Sequence, residues 1–413
     1  MRTNTRLAAM VASVAATAVA IGGAVAYQQR PVADGSAAAP LSPLTPSSPL
    51  TPSSPLGSTP TPSSPRTTPT PTATSTAPPK QAPPAKQTLA PTMTAPPIAT
   101  GPVKVAVVPA KLSKGRAPQV PYLVDREVRG GSGWTDKIPS TDVIHTVVRR
   151  GNAVLATLSS QASAGDRLLT IEDGKATYTP GVTSLVGSRN GAAAAYAARG
   201  AEWRGGVVYS AGSRSVQKLE VPAAAYELEV LRVTDQGKVY FHWKDSRSAP
   251  WKLFEWLPGR AATQVKSVAS ATMVSEDGTV AASISDSAPG EATRTCSTVT
   301  VLATGKRLWQ TCESTQLNFT PDHSVTFGRG GAGDDGTATR ITAHDTATGK
   351  VIREWTGQFL AVLAEDDEHL LMVFDNAVSL VKRSIVRCTI STGACEAAVG
   401  PTDSRLDLGG WRP

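Results

Sequence analysis

The sequence contains few of the residues that usually mark a catalytic or metal-binding protein. It has five histidines and four cysteines in 413 residues. No two cysteines form a C-x-x-C pair, and no histidine lies at zinc-ligand spacing beside them. The nucleophile-elbow, HExxH and P-loop motifs are missing as well. We therefore assign no catalytic, cofactor-binding or metal-binding residue and no cofactor, and we favour a protein without enzymatic activity.

Two remaining motifs receive structural interpretations. Residues 328–333 match G-x-G-x-x-G, but two aspartates and then another predicted strand follow them, whereas a dinucleotide fingerprint needs a helix at that point. We interpret this run as a loop between strands. Residues 365–368 gather four carboxylates without the ligand spacing of a calcium loop, and we interpret them as a solvated turn.

Aromatic residues are almost absent from the first hundred positions, where Tyr27 is the only one, and 19 of the 32 prolines lie between Pro31 and Pro97. The hexapeptide LTPSSP at residues 44–49 is repeated at once, and further Thr-Pro and Ser-Pro steps follow. Such a segment has too little apolar area to offset the entropy of ordering. We therefore predict a disordered linker rich in Pro, Ser and Thr over residues 27–100.

The first 26 residues have the pattern of an export signal. Arg2 and Arg6 precede an uncharged run rich in Ala and Val at residues 7–26, and an A-x-A site ends at Ala26 before Tyr27. The run is long for a signal peptide and just long enough to span a bilayer, so an uncleaved membrane anchor is the alternative. Either form places residues 27–413 outside the cytoplasm, secreted or anchored to the membrane.

The formal charge of +8 would suit a nucleic-acid partner, but its distribution does not. The first hundred residues carry six Lys or Arg and one acid, which leaves 35 basic and 32 acidic residues in the remainder. Nucleic-acid binders concentrate basic residues on one face, and no such run occurs here. We predict no nucleic-acid partner, and we interpret Arg383 and Arg387 as parts of a solvated sheet face.

Two series of turns repeat through the rest of the chain. Hairpin-turn glycines fall at 174, 212, 259, 305, 349 and 393, with spacings of 38 to 47 residues. A second series, centred at 151, 191, 237, 278, 323 and 368, keeps step with the first, and each of its turns precedes an apolar run. Alternating or β-branched runs flank both series, as strands do. This period is typical of propeller blades.

We therefore predict an all-β fold, a β-propeller over residues 101–413 with six recognisable blades. A seventh blade, or closure of the ring, is expected if residues 103–138 pair with the tail 404–411. The tail contains Leu406-Asp407-Leu408, which alternates between apolar and polar as a closing strand would. Closure matters because an open ring leaves two unpaired sheet edges.

The cysteines follow the same repeat. Cys296 and Cys312 are equidistant from the turn at Thr304, and Cys388 and Cys395 bracket the equivalent turn two repeats later. Residues equidistant from a hairpin turn face each other across the two strands. We predict the disulfides Cys296–Cys312 and Cys388–Cys395, with four buried free thiols as the alternative.

The hairpins resemble those of two families. Residues 343–350, Ala-His-Asp-x-x-Thr-Gly-Lys, and residues 304–309, Thr-Gly-Lys-Arg-Leu-Trp, are similar to the blade motif of PQQ-like (quinoprotein-type) propellers. His344-Asp345 also stands where a WD40-like blade would carry Trp-Asp. The chain thus resembles bacterial exported WD40-like or PQQ-like repeat domains, and both families include many scaffolds without catalytic activity.

The function expected from these patterns is binding outside the cytoplasm. Propellers present loops around one face, so we expect a surface for a protein, a peptide or a cell-wall glycan. One alternative is a hydrolase or lyase, which needs acids from different blades to meet in the channel. The other is a quinoprotein-type oxidoreductase, which needs a tryptophan in the channel to stack on its cofactor.

Overall fold

The computed structural model describes residues 94–159, 166–212, 215–285, 296–332, 337–375 and 382–410. These residues form β-strands and three single-turn 3-10 helices, and no α-helix occurs among them. The predicted all-β domain is therefore confirmed for this part of the chain. The predicted leader, its cleavage site at Ala26 and Tyr27, and the linker up to residue 93 lie outside the described residues.

No helix of the described ranges is both long enough and apolar enough to span a membrane.

The strands are numbered in chain order. The first fourteen are β1 (Lys104–Ala106), β2 (Tyr122–Val124), β3 (Glu127–Gly130), β4 (Trp134–Lys137), β5 (Val143–Arg150), β6 (Ala153–Ser159), β7 (Asp166–Glu172), β8 (Lys175–Pro180), β9 (Val182–Gly187), β10 (Ala194–Arg199), β11 (Arg204–Ala211), β12 (Val216–Val233), β13 (Val239–Lys244) and β14 (Lys252–Trp256). The others are β15 (Thr263–Ala269), β16 (Ala271–Val274), β17 (Val280–Ser285), β18 (Cys296–Val301), β19 (Arg307–Thr311), β20 (Thr315–Phe319), β21 (Val325–Ala332), β22 (Ala338–Asp345), β23 (Val351–Ala364), β24 (His369–Asp375), β25 (Arg383–Thr389), β26 (Cys395–Thr402) and β27 (Leu406–Leu408). The 3-10 helices are Pro109–Lys111, Gly131–Gly133 and Ala201–Trp203.

The strands pair into antiparallel groups of four that follow one another along the chain. Group 1 is β27-β2-β3-β4, group 2 is β5 to β8, group 3 is β9 to β12, group 4 is β12 to β15, group 5 is β16 to β19, group 6 is β20 to β23, and group 7 is β23 to β26. Short antiparallel sheets packed face to face in succession are the organisation of a β-propeller. β1 adds to group 6 as a further, parallel strand beside β23.

Two long strands connect neighbouring groups without a break. The first part of β12 pairs with β11 and its last part pairs with β13, and a register shift marks the change of partner. β23 is shared in the same way between β22 and β24. Each of these strands is therefore the fourth strand of one group and the first strand of the next. In the order given above, we call the first strand of a group its inner strand and the fourth its outer strand.

The tail of the chain pairs with its beginning. Tyr122, Leu123 and Val124 of β2 lie opposite Leu408, Asp407 and Leu406 of β27, respectively. Gly409 and Gly410 continue this contact, because their amides donate to the carbonyls of Pro121 and Val147. The expected pairing of 404–411 with 103–138 is thus present, and it joins the last group to the first.

Seven hydrophobic clusters among the described residues lie between successive groups. Leu123, Val128 and Ile144 belong to the cluster that joins groups 1 and 2, and Leu371 and Leu406 belong to the one that joins groups 7 and 1. The other five join groups 2 to 7 in order. Each sheet therefore buries both faces, which explains strands such as β6 and β24 that are apolar along nearly their whole length.

The turns of the first series, each marked by its glycine, lead into the outer strands, and the motif around His344 stabilises one of them. Asp345 Oδ1 accepts the Thr348 amide at 2.9 Å, and His344 Nδ1 donates to the Gly349 carbonyl at 3.1 Å. Gly349 has φ of +73°, and a Cβ there would lie 2.6 Å from Trp309 Cγ. The repeat has a further member that the sequence analysis missed, Gly133 with φ of +75°, in the 3-10 turn between β3 and β4.

In groups 2 to 7, the other turn series joins the inner strand to the second strand. In three of these turns a Ser or Thr hydroxyl donates to the side chain two residues later, in the pairs Ser188 with Asn190, Ser275 with Asp277 and Thr320 with Asp322. The same hydroxyl accepts the amide of the residue five positions after it, at or just before the start of the next strand. These side-chain bonds fix the turn locally. They explain why this series is regular in sequence.

The segment before β2 runs along the outside of groups 6 and 7, and we call residues 98–119 the strap. Carbonyls of the strap accept hydrogen bonds from the guanidinium of Arg353, a residue that is fully buried. Arg353 donates to the Thr100 carbonyl at 2.7 Å, to Pro102, and to Ser391 of the β25–β26 turn. The strap thus fixes the start of the described chain to two outer strands.

The structure contains two disulfides, Cys296–Cys312 and Cys388–Cys395, and no free cysteine. This is the pairing predicted from the turn series. A register shift at Val299 and Thr300 lies within the hairpin of Cys296 and Cys312. It explains why these cysteines lie eight residues on either side of Thr304, whereas Cys388 and Cys395 lie four before and three after Thr392.

Three interpretations from the sequence are wrong in part. Arg387 is 3% exposed and does not lie on a solvated face, and Glu365 of the acidic turn is buried with it. Val325–Ala332 forms strand β21, so the glycine-rich run interpreted as a loop is mainly a strand, while residues 333–336 lie outside the described ranges. Glycine allows close approach here, because a Cβ at Gly330 would lie 2.5 Å from the Glu313 carbonyl oxygen.

Candidate functional site

All seven groups contribute to one cavity of about 510 Å³. The inner strands and the turns that follow them form its walls, so the cavity lies inside the ring. Its lining residues are Gln119, Val120, Pro121, Val147, Val148, Arg149, Gly151, Asn152, Val186, Gly187, Ser188, Arg189, Asn190, Gly191, Leu231, Arg232, Met273, Glu276, Asn318, Phe319, Thr320, Pro321, Leu363, Ala364, Glu365, Gly409 and Gly410.

Three of the five charged lining residues occupy the same place in the repeat. Arg149, Arg189 and Glu276 each stand two residues before the turn residue of their group. The equivalent residue of group 4, Asp235, accepts the Asn190 amide at 2.9 Å and donates its own amide to Glu276 Oε1 at 3.0 Å. Asp235 and Glu276 therefore each link their own turn to the preceding one around the ring.

Arg232 and Glu276 form a pair inside the cavity. Arg232 Nη1 lies 3.4 Å from Glu276 Oε2, and Arg232 Nε donates to the Val274 carbonyl at 3.0 Å. Arg232 also reaches Asn318 of group 6 at 3.4 Å. Burial lowers the pKa of Arg232 and raises the pKa of Glu276, against the attraction between the two. The pair connects three groups across the inner wall.

Glu365 has a structural role beside the cavity. Its side chain is 1% exposed, and Arg387 donates to both of its oxygens, at 2.5 and 2.8 Å. The Gln119 amide donates to Glu365 Oε1 at 2.6 Å. Arg387 also donates to the carbonyls of Arg116 and Ala117. This ion pair holds the end of the strap where the strap enters group 1.

The remaining two cations lie at the mouth of the cavity. Arg189 Nη1 is 3.8 Å from Asp367 Oδ1, and their side chains are 42% and 49% exposed. Groups 3 and 7 are not neighbours, so this pair spans the mouth. Arg149 Nε donates to the Gly151 carbonyl at 2.7 Å, and its guanidinium lies 4.5 Å above the Trp134 ring. The charged side chains that stay partly exposed in this region are therefore Arg149, Arg189 and Asp367.

Two acids line the cavity, and both are paired. Acids from two groups, Glu276 and Glu365, line the cavity, but each is held by an arginine and a backbone amide. Among the described lining residues there is no tryptophan on which a quinone cofactor could stack. No set of three or more His, Cys, Asp or Glu in the described ranges is placed to hold a metal ion.

The residues singled out from the sequence lie elsewhere. None of the four cysteines lines the cavity, and Ala26 and Tyr27 fall outside the described residues. Sequence reasoning missed Arg149, Arg189 and Glu276. The signal was available, because all three hold one position in the turn series whose period had been recognised.

No protein family and no curated protein matches the chain. Similar solved structures include a prolyl endopeptidase (14% identity, 69% of this chain and 47% of that one, TM-score 0.46) and an uncharacterised protein of Listeria monocytogenes (10% identity, 64% and 86%, TM-score 0.44). Another is TolB of Acinetobacter baumannii (14% identity, 58% and 66%, TM-score 0.37). The chain spans about half the length of the prolyl endopeptidase. With each of these TM-scores below 0.5, the fold assignment rests on the strand pairings and clusters described above.

Proposed function

We propose that this chain is a seven-bladed β-propeller that acts outside the cytoplasm as a binding protein without catalytic activity, with its ligand site in the central cavity. In this proposal groups 1 to 7 are the blades, and β27 closes the ring as the inner strand of group 1. The order of the groups and the seven clusters between them support this blade count. A protein, a peptide or a cell-wall glycan is the class of partner.

The proposed location rests on the disulfides and the leader. Disulfides persist in oxidising compartments, and all four cysteines of this chain are paired. A basic start and an apolar run at residues 7–26 support export, as a secreted form after cleavage at Ala26 or as a form anchored in the membrane. The Pro-rich residues 27–100 would then separate the propeller from the membrane.

One observation favours a binding protein over an enzyme: both acids of the cavity are paired with arginines. A general acid or base must be free to exchange a proton with a bound substrate. The hairpins that resemble WD40-like and PQQ-like blades support the same view, because His344 and Asp345 support their own turn. We therefore take that resemblance as one of blade construction.

The test is a ligand screen with two matched tryptophan variants of the purified, exported protein. Peptides and soluble cell-wall glycan fragments are screened for binding against the wild type. Asn152 is an exposed residue of the cavity lining, so Asn152→Trp narrows the mouth, whereas Lys175→Trp changes the outer strand β8. We expect ligands to bind the wild type and Lys175→Trp equally and to lose affinity for Asn152→Trp. Equal binding by all three proteins would place the site outside the cavity.

One observation supports the alternative of a hydrolase or lyase. Burial raises the pKa of Glu276, and an acid of raised pKa in a cavity is a possible proton donor. A turnover assay of the same peptides and glycans, followed by mass spectrometry, separates the two functions. Product formation that disappears in Glu276→Gln would favour the enzyme, and unchanged ligands would favour the binding protein.

A further inference from the structure

The turn between β10 and β11 carries a tryptophan that is exposed to solvent. Trp203 is 49% exposed, whereas the other tryptophans that the structure describes are half-buried or buried. β10 starts beside the turn 188–191 at the cavity mouth and ends at Arg199, so it separates Trp203 from the mouth by about 20 Å. None of residues 199–204 lines the cavity. Trp203 therefore belongs to a different surface of the ring.

The backbone of this turn is strained at the tryptophan. Glu202 and Trp203 have φ of +53° and +64°, in the left-handed region that residues other than glycine rarely adopt. A side chain disfavours this region, and residues held in it are concentrated at functional sites. Other exposed apolar residues, such as Val143 and Val216, lie in regular strands without this strain. The strained turn is therefore the first sign that the exposure of Trp203 serves a function.

The ring of Trp203 has one covered face and one open face. The guanidinium carbon of Arg199 lies 3.5 Å from the ring centre, which is a cation–π contact. Because Trp203 remains 49% exposed, the opposite face is open to solvent. Arg199 Nη1 is buried and has no hydrogen-bond partner among the described residues. Arg199 therefore supports the ring from one side and leaves the open face for a ligand.

The residues on either side of the tryptophan in the chain can form hydrogen bonds with a ligand. Glu202 and Arg204 are exposed, and neither makes an ion pair with any residue that the structure describes. A small apolar ledge adjoins the turn, because a Cβ at Gly205 would lie 3.3 Å from Ala223 Cα and residues 222–224 are exposed. The turn thus combines an open aromatic face with a free acceptor, a free donor and an apolar ledge.

This combination matches the chemistry of a sugar ring. One face of a pyranose presents C–H groups that pack on an aromatic ring, and its hydroxyls donate to a carboxylate and accept from a guanidinium. A Pro-rich peptide also stacks on tryptophan, but it has few polar groups for Glu202 and Arg204. We propose that Trp203 stacks on a pyranose of a cell-wall glycan, whose hydroxyls bind Glu202 and Arg204. This second binding site does not depend on the function proposed for the cavity.

Two trisaccharides, chitotriose and cellotriose, are titrated into the full exported protein, and binding is measured by isothermal titration calorimetry. A third probe is the peptide acetyl-LTPSSPLTPSSP-amide, which copies the Pro-rich residues 44–55 of this chain. The test variants are Trp203→Ala and Trp203→Phe. The control is Tyr178→Ala, because Tyr178 is 44% exposed, has the Arg167 guanidinium 4.5 Å from its ring centre and lies in the regular strand β8.

We expect a trisaccharide to bind the wild type and Tyr178→Ala equally and to bind Trp203→Ala at least about tenfold more weakly, because the stacking surface is lost. Trp203→Phe should retain part of the affinity, since a smaller ring still stacks. Glu202→Gln should also weaken binding, because hydrogen bonds to charged groups are the stronger ones. Asn152→Trp, which narrows the cavity mouth, should leave this binding unchanged.

Equal affinities of Trp203→Ala and Tyr178→Ala for the trisaccharides would overturn the proposal, and so would trisaccharides that do not bind the wild type. Binding of the peptide alone, with loss in Trp203→Ala, would identify a site for a Pro-rich chain and would also overturn it. The cavity is tested separately, because a ligand of the cavity is lost in Asn152→Trp and kept in Trp203→Ala.

Discussion

Gly349 shows how a single residue of the repeat is constrained twice. Its φ of +73° disfavours any side chain, and a Cβ would also collide with Trp309 at 2.6 Å. Gly259 holds the equivalent position in group 4 with φ of +87°, and a Cβ there would have no neighbour within 4 Å. The two glycines therefore separate the cost of backbone strain from the cost of a steric clash.

We predict that Gly259→Ala lowers the free energy of unfolding by about 1 kcal/mol, the cost of an L-residue in the left-handed region. Gly349→Ala should cost about 1–3 kcal/mol more, because Trp309 must move as well. Urea denaturation followed by fluorescence measures both changes. Equal losses for the two variants would show that Trp309 does not pack on the turn.

His344 gives the second prediction at this scale. Burial lowers the pKa of His344 below its usual 6.5, and Nε2 has no hydrogen-bond partner among the described residues. The unfolded chain therefore binds a proton more readily than the folded protein as the pH falls below 6.5. The stability that neutral His344 contributes is complete above pH 6.5 and decreases as the pH drops from 6.5 through the lowered pKa.

We expect His344→Asn to unfold with a smaller loss of stability between pH 7.5 and pH 5 than the wild type. The amide of Asn can still donate to the Gly349 carbonyl, so the turn keeps its bond. The same substitution at the exposed His145 controls for the removal of a histidine. An unchanged pH dependence in His344→Asn would show that His344 takes up its proton as easily in the folded protein as in the unfolded chain.

At the scale of elements, the repeat in the sequence predicted the hairpins correctly, whereas the segments outside the repeat were not predicted. Each predicted hairpin turn of the first series from Gly259 to Gly393 lies between two paired strands with a positive φ at its glycine. The strap was not predicted, because residues 98–119 have no repeat partner and little alternation. Its position depends on Arg353 and Arg387, whose burial cannot be inferred from a charged residue in an alternating strand.

The strap gives a prediction of its own. Arg353→Met keeps the length of the side chain but removes the donors to Thr100 and Pro102, so the strap should detach before the ring unfolds. Limited proteolysis under native conditions should then cut faster at Lys104 or Lys111 than in the wild type. Arg307→Met, on an exposed outer strand, is the control. Equal cleavage rates in the two variants would mean that Arg353 does not hold the strap.

At the scale of the whole molecule, the sequence analysis supplied the all-β class, the period of the repeat and the two cysteine pairs. It recognised six repeats because group 1 takes β27 from the tail and its other strands from the beginning, so no single stretch shows its full pattern. The site was not predicted. Most cavity residues belong to the repeat, and only closure of the ring brings residues from all groups together.

Closure of the ring by β27 is therefore the central claim, since the cavity exists only if the last group meets the first. Val124 and Leu406 lie opposite each other in the β2–β27 pairing. The hydrogen bonds of this pairing join Asp125 to Arg405 and Pro121 to Gly409, and such pairs alternate along the strands, so Val124 and Leu406 form a non-hydrogen-bonded pair. Facing residues in such a non-hydrogen-bonded pair are close enough for a disulfide.

The most direct measurement is non-reducing peptide mapping of the double variant Val124→Cys with Leu406→Cys. We predict a linked peptide that joins residues 124 and 406, native pairing of the four other cysteines and a higher melting temperature than under reducing conditions. Val124→Cys with Asp407→Cys is the control, because neighbouring residues of a strand point to opposite faces of the sheet. Free thiols at 124 and 406, or linkage of 124 to 407 with equal yield, would contradict the closed ring.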